Sequence, residues 1–304
     1  MHRKLDLKGY DRSSISLTLL SLILISSVLF SMLNFGNGGF PGHMDTHGEG
    51  GMETWLRIFF RLGCAYLSLH TAVFWMIRNP DPSTMIVLFR EELEIRVHKS
   101  VGLEKLGTFS AWTMIVFGLS MFVNGVGSIY VGLGYAPPEW VQGLGVSLFA
   151  TSFGAASLTS VVVRYVILPS MVKQGSDQDH MFKPHEQVMH NWVLLLLSID
   201  FLLGGMSFGW PVISLSIIMG GVYLTFAEIK ARRKGGYYVY EFIDPRPALA
   251  PFLLSGLLII CLLSLLFGLL ISALKQDYYF ISFILLTLFV TSSVQFKPLG
   301  GDPR

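Results

Sequence analysis

The sequence predicts an all-α fold: a polytopic membrane helix bundle of about eight transmembrane helices with both termini cytosolic. Three observations predict it. Of 304 residues, 52% are hydrophobic and only 14% charged, and the mean hydropathy is +0.57, the composition of a membrane protein rather than a soluble domain. Eight apolar segments approach the roughly 20 residues needed to cross about 30 Å of hydrocarbon. The cations are sorted to alternate loops.

The segments lie near 14–33, 55–77, 108–134, 143–168, 190–208, 211–229, 249–273 and 278–295, the last being the shortest. They make one transmembrane domain over 14–295, with cytosolic tails at 1–13 and 296–304. The first segment follows a basic stretch, but no small-residue cleavage site follows Leu33, so it reads as an uncleaved signal anchor. Asp6 and Asp11 break the acid-poor pattern of a mitochondrial presequence. The endoplasmic reticulum or plasma membrane is therefore expected ahead of the mitochondrial inner membrane. Gly209-Trp210-Pro211 separates the fifth and sixth segments and predicts a tight helical hairpin.

Lys and Arg orient the stack, because they stay on the cytoplasmic side. In an eight-span arrangement the N-terminal tail, the 78–107, 169–189 and 230–248 loops and the C-terminal tail hold 18 of the 22 cations, whereas the opposite loops hold only Lys275. Within 78–107, Phe89, Leu93 and Val97 recur at helical spacing among Glu91, Glu92, Glu94 and Arg96, which predicts an amphipathic interfacial or connector helix. Tyr237, Tyr238 and Tyr240 follow a basic cluster and suit an interface belt or a lid over a site formed by the third and fifth spans. Cys64 and Cys261 lie in apolar runs and imply no disulfide framework.

Ionisable residues at membrane depth are costly and mark functional candidates. His190 opens the fifth span and Asp200 follows ten residues later, about 15 Å along a helix axis, too far to act as a direct pair. Asp200 needs its own partner or a water cavity. Arg57, Arg61, Cys64 and Ser68 share a face of the second span, and Arg61, the deeper arginine, could pair with Asp200 or hold a lipid phosphate or carboxylate. Thr108 enters the membrane at the same end as His190, and a hydroxyl beside an imidazole is the minimum for an activated nucleophile. Thr113 is its rival. Asn191 and Trp192 could orient an acyl oxygen, with Asn191 also a structural or lipid-contact candidate. The fourth span carries Thr151, Ser152, Gly154, Ala155, Ala156 and Ser157, a small-residue packing face. His43, Asp45 and His47 alternate as metal ligands would, but in a Gly-rich loop without fixed geometry. No phosphate-binding loop, zinc-protease motif or G-x-S-x-G appears, and no metal, nucleotide or other cofactor is required.

Three stretches carry a resemblance: Lys105 to Thr113, Met189-His190 through Asp200, and Gly220 to Ala227 followed by Gly235 to Asp244. In order and spacing they are similar to the androgen-induced membrane proteins, a group of polytopic hydrolases, and the related rolling stone-like proteins. The resemblance implies an intramembrane threonine hydrolase of fatty acid esters of hydroxy fatty acids, with Thr108 as nucleophile and His190 as base. The partners expected are membrane lipids, a lipid ester substrate or the subunits of a membrane complex, and no nucleic acid. The extra N-terminal span and the 34–53 insert depart from the family pattern. A non-enzymatic scaffold, fusion factor or accessory subunit is the alternative reading, and a transporter with Asp200 and Arg61 lining its path is the third.

Overall fold

A computed structural model describes the backbone of residues 3–4 and residues 11–36, 39, 41–44 and 51–300. The main helices are α1 (Ser13–Gly36), α2 (Met52–Ile77), α3 (Phe109–Gly132), α4 (Glu139–Lys173), α5 (184–203), α6 (Trp210–Ala231), α7 (Ala250–Asp277) and α8 (Tyr279–Ser293). Six of them (α1, α2, α3, α4, α6 and α7) are long and apolar enough to cross a membrane. The chain is a multi-pass integral membrane protein. The two others are shorter: α8 has 15 residues, and the apolar part of α5 is the 11-residue stretch Val193–Leu203.

Local chemistry sets the helix ends. Thr108 caps α3 by accepting the Ala111 N–H at 3.1 Å. Gly134, at φ +81°, and Pro137-Pro138 break the chain before α4. Pro211 and Pro251 stand in the first turns of α6 and α7, where a missing N–H costs nothing. Helix α4 is the most enclosed, and α3, α5, α6 and α7 all pack on it. Its small residues permit close approach: a Cβ on Gly154 would collide with Ser216 Oγ, and Ser216 hydroxyl donates to the carbonyls of Ala150 and Thr151. By contrast α1 turns Leu22, Ile25, Leu29 and Met32 outward, an apolar face suited to lipid.

Two expectations change. The 78–107 segment is a β-hairpin rather than an amphipathic helix. Strands β3 (Ser83–Phe89) and β4 (Glu94–Ser100) pair antiparallel, Ser83 opposite Ser100 and Phe89 opposite Glu94, through a turn in which Leu93 takes φ +54°. Phe89, Leu93 and Val97 matched a helical period, but Ile86, Val87, Ile95 and Val97 are β-branched and favour a pleated surface. Leu88 and Ile95 pack into the cluster that holds Tyr223 and Tyr238, so tertiary burial decides the conformation. The fifth and sixth spans do not form a tight hairpin either. After Gly204, α5 and α6 diverge, and each packs on α4.

The hairpin joins a four-stranded sheet ordered β1 (Arg3–Lys4), β4, β3, β6 (Tyr237–Tyr238). Gln178 exchanges two hydrogen bonds with the Leu299 backbone. The basic segments of the sequence therefore meet at one end of the bundle. At the other end β2 (Gly42–His43) pairs with β5 (Ser207–Phe208). Lys275, the exception to the charge sorting, lies there and donates to the carbonyls of Phe201, Gly204 and Met206 at the end of α5.

Asp200 is paired. Arg61 Nε lies 2.8 Å from its Oδ1 and 3.1 Å from Oδ2, and both side chains are 1% exposed. Arg61 Nη1 also donates to Ser128 Oγ at 2.7 Å. One guanidinium on α2 thus holds α5 and α3. Arg57 sits nearer the end of α2 and pairs with Glu53 at 3.2 Å. Breaking a buried ion pair from one side costs about 3–5 kcal/mol. Arg61→Ala and Asp200→Ala should each lower thermal stability in detergent by that order, and Arg61→Met with Asp200→Leu should lose less than either single change. A double variant as damaged as the sum of the two singles would show that the ion pair does not couple these positions.

Candidate functional site

Two adjoining cavities open at the sheet-covered end. The outer one, a vestibule of about 240 Å³, is walled by the hairpin (Thr84, Met85, Ile86), the start of α3 (Thr108, Ser110), the 170–190 segment (Gln174, His180, Glu186, His190) and Tyr240, Glu241 and Phe242. The inner one is a slot of about 50 Å³ that runs between α3, α4, α6 and α7 past Leu158, Val162, Tyr223, Leu224 and Leu258. Ser110, Ile167, His190, Tyr240 and Phe242 line both.

The helices widen around this space. Val163–Ile167 in α4 and Val188–Trp192 in α5 are π-helical turns, an irregularity common at functional sites. The second places His190 against α4, where Ser160 Oγ donates to the His190 carbonyl at 2.6 Å. Its neighbour Thr159 contacts Thr113 Oγ1 at 3.3 Å. The backbone of His190 is therefore near the level of the first turns of α3, which carry Thr108 and Ser110.

The imidazole of His190 is buried. Its Nε2 is 3.5 Å from Glu186 Oε2, and its Nδ1 has no hydrogen-bond partner. An orphaned polar atom in a buried wall is uncommon and calls for an explanation. Glu186 also lies 3.5 Å from His185 Nε2. Burial works against its charge, but the His185 hydrogen bond and the imidazoles of His190, His185 and His180 hold its carboxyl below the ordinary range.

Thr108 and His190 line the same vestibule without touching. Thr108 Oγ1 accepts from Ala111 N–H and, at 3.2 Å, from the Ser110 hydroxyl. Thr113, the rival, is buried against Thr159 and donates to the Phe109 carbonyl, so it lines neither cavity. Tyr240 hydroxyl faces the Ser110 side chain and the backbone of Phe109 and Ser110. Burial pushes its phenol up to about 12, Glu186 adding to the rise and the Ser110 and backbone contacts opposing it. Neither Ser110 nor Tyr240 carries a sequence signal that marks it as a site residue. The Tyr-rich segment, expected as an interface belt or a lid, has Tyr240 and Phe242 stacked at 5.3 Å in the vestibule wall.

The remaining candidates hold the bundle rather than line the cavity. Asn191 donates to Gln187 Oε1 and the Gln295 carbonyl and accepts the Gln295 N–H at 2.9 Å. Trp192 points outward against Phe296. Asp200 and Arg61 line neither cavity. Of the loop residues read against a metal, 45–49 lie outside the described residues, and among the described residues no cluster of three metal-ligating side chains occurs. No family model, curated protein or solved structure matches the chain.

The Asn191 clamp has a measurable consequence. Asn191→Leu should speed hydrogen exchange at the Gln295 amide and cost about 1–3 kcal/mol for the polar groups left unpaired. Unchanged exchange there would show that the clamp does not hold the end of α8.

Proposed function

We propose that this chain crosses its membrane eight times with both termini cytosolic, in the endoplasmic reticulum or plasma membrane, and hydrolyses a carboxylic ester of a lipid at the cytosolic end of the bundle. The 18-to-1 sorting of loop cations supports the orientation. The single observation that carries the chemistry is His190: one ring nitrogen faces Glu186, the other is orphaned, and the ring lines the same vestibule as Thr108. The resemblance to androgen-induced hydrolases points to the same two residues and to fatty acid esters of hydroxy fatty acids.

With its proton on Nε2, toward Glu186, the imidazole presents a lone pair at Nδ1, the tautomer a general base needs. Thr108 Oγ attacks the ester carbonyl carbon. In the resting site Ser110 donates to Thr108, so the two hydroxyls first reverse that bond. The Thr108 proton then passes to Ser110 as the Ser110 proton passes to His190 Nδ1. Charge then develops on the carbonyl oxygen beside the first amides of α3. Those amides lack helical acceptors, and a helix N-terminus favours negative charge. Tyr240 hydroxyl adds a third donor and stays protonated through the physiological range. Collapse breaks the ester C–O bond, and His190 protonates the departing alkoxide. A water deprotonated by His190 then releases the acid and restores Thr108.

A second reading makes Ser110 the nucleophile, because it lines both cavities with His190 whereas Thr108 lines only the outer one. A fluorophosphonate probe on the full-length protein separates the two, with the labelled peptide sequenced by mass spectrometry. The label is expected on Thr108. Thr108→Asn should abolish labelling while keeping the helix cap, whereas Thr108→Ala should abolish it and also lose about 1 kcal/mol of stability. Glu186→Gln should slow labelling roughly 10-fold or more through the tautomer it no longer holds. Label on Ser110 transfers the role, and no label above the His190→Ala background overturns the hydrolase reading.

A further inference from the structure

The two π-helical turns beside the cavities do not share one cause. The turn at Val163–Ile167 in α4 precedes Pro169, which has no N–H for the carbonyl of Tyr165. The turn at Val188–Trp192 in α5 has no such local cause, since no Pro or Gly stands between 185 and 203. A π-helical turn is rare, and contacts from outside the helix are left to hold this one. They come from two sides. Toward α4, Ser160 hydroxyl donates to the His190 carbonyl at 2.6 Å. Away from the cavities, Asn191 donates to the Gln295 carbonyl at 2.8 Å and accepts its N–H at 2.9 Å, and Trp192 packs edge-on against Phe296. The segment that makes these contacts follows α8 and is tied at both ends. Arg164 donates to the carbonyls of Thr291 and Val294. Leu299 packs on the cluster of Val163, Leu168 and Met171 and exchanges two hydrogen bonds with Gln178. His190 and Asn191 are thus consecutive residues of one turn with opposite tasks. The first lines both cavities, and the second grips the C-terminal segment.

We propose that the C-terminal segment 294–299 is a positioning element: by gripping Asn191 it keeps the α5 turn π-helical, and so keeps the side chains of Glu186 and His190 on the cavity wall. Asp200 is fixed by Arg61 further along α5, so any rewinding of the turn falls on the residues before it. Closing the turn to regular α-helix would rotate Glu186 by up to about 100°, the step of one residue, and His190, inside the turn, by part of that. Asn191 and Gln295 act through His190 and touch no substrate. The role of His190 as base rests on the hydrolase reading, whereas the rotation rests on the geometry of the turn alone.

The experiment is cysteine reactivity in the full-length protein in detergent. Glu186→Cys, His190→Cys and Gln174→Cys are each reacted with a small water-soluble methanethiosulfonate. All three positions line the vestibule, but Gln174 is not on α5. Cys64 and Cys261 are buried, and the unsubstituted protein gives the background. Gln295→Pro removes the N–H that Asn191 accepts, and Val294 already has the extended backbone, φ −83° and ψ 151°, that precedes a proline. In that background the rates at 186 and 190 should fall about 10-fold or more, while the rate at 174 stays unchanged. Asn191→Leu, which removes the grip from the other side, should do the same and carries the test if Gln295→Pro loses its thermal transition. Unchanged rates at 186 and 190 overturn the proposal. So does a rise at these positions or an equal change at 174, which is loosening or closure of the whole vestibule rather than rotation of one helix. If the hydrolase reading holds, Gln295→Pro also slows fluorophosphonate labelling. The fall at 186 and 190 together with no labelling of the native protein leaves this inference standing and overturns the hydrolase reading, so the two fail separately.

Discussion

The bifurcated contact of Arg61 Nε with both carboxylate oxygens of Asp200 is the interaction on which the site depends. In lipid, apolar side chains give helices little reason to prefer one axial register over another, because the surrounding tails are equally apolar. A charge at that depth does impose a register, since leaving it unpaired costs several kcal/mol. Arg61 reaches Asp200 on α5 and Ser128 on α3 with one guanidinium. Those contacts set the register of α5 against α3, and with it the position of His190 relative to Thr108 and Ser110. Asp200 thus works at a distance, as a stop for the helix that carries the imidazole.

A second pattern runs through the bundle: long polar side chains are spent on helix ends. Lys275 takes the terminal carbonyls of α5, Arg164 those near the end of α8, and Asn191 both backbone groups of Gln295. Orphan carbonyls are unavoidable where a helix stops, and inside a membrane bundle water is not at hand to satisfy them. This accounts for Lys275, the one loop cation found away from the basic end.

The sheet completes the site. Without the β3–β4 hairpin and the Tyr237–Phe242 segment, the space between α3, α4 and α5 would be an open notch. Thr84, Met85 and Ile86 wall one side, and the stacked Tyr240 and Phe242 cover another. The π-helical turns in α4 and α5 make room beneath. Tyr240 is placed by the strand that precedes it, and that strand is placed by pairing with Leu88 and Phe89.

What the residues alone determined is the one-dimensional part. Apolar run length located the helices, and the alternation of Lys and Arg anticipated which connecting segments share an end. The cost of buried charge singled out His190, Arg61 and Asp200, and topology brought Thr108 to the end that holds His190. These properties are local or additive along the chain, so they survive without coordinates. The tertiary structure decided the rest. The 83–100 segment satisfied a helical period and a strand propensity at once, and only pairing with β1 and β6 chose between them. Ser110 and Tyr240 looked like ordinary packing and interface residues, because their importance lies in what they face. Whether Asp200 had a partner was undecided until α2 was laid against α5. Contacts between residues more than a hundred positions apart carry no periodic signature, so only the folded chain shows them.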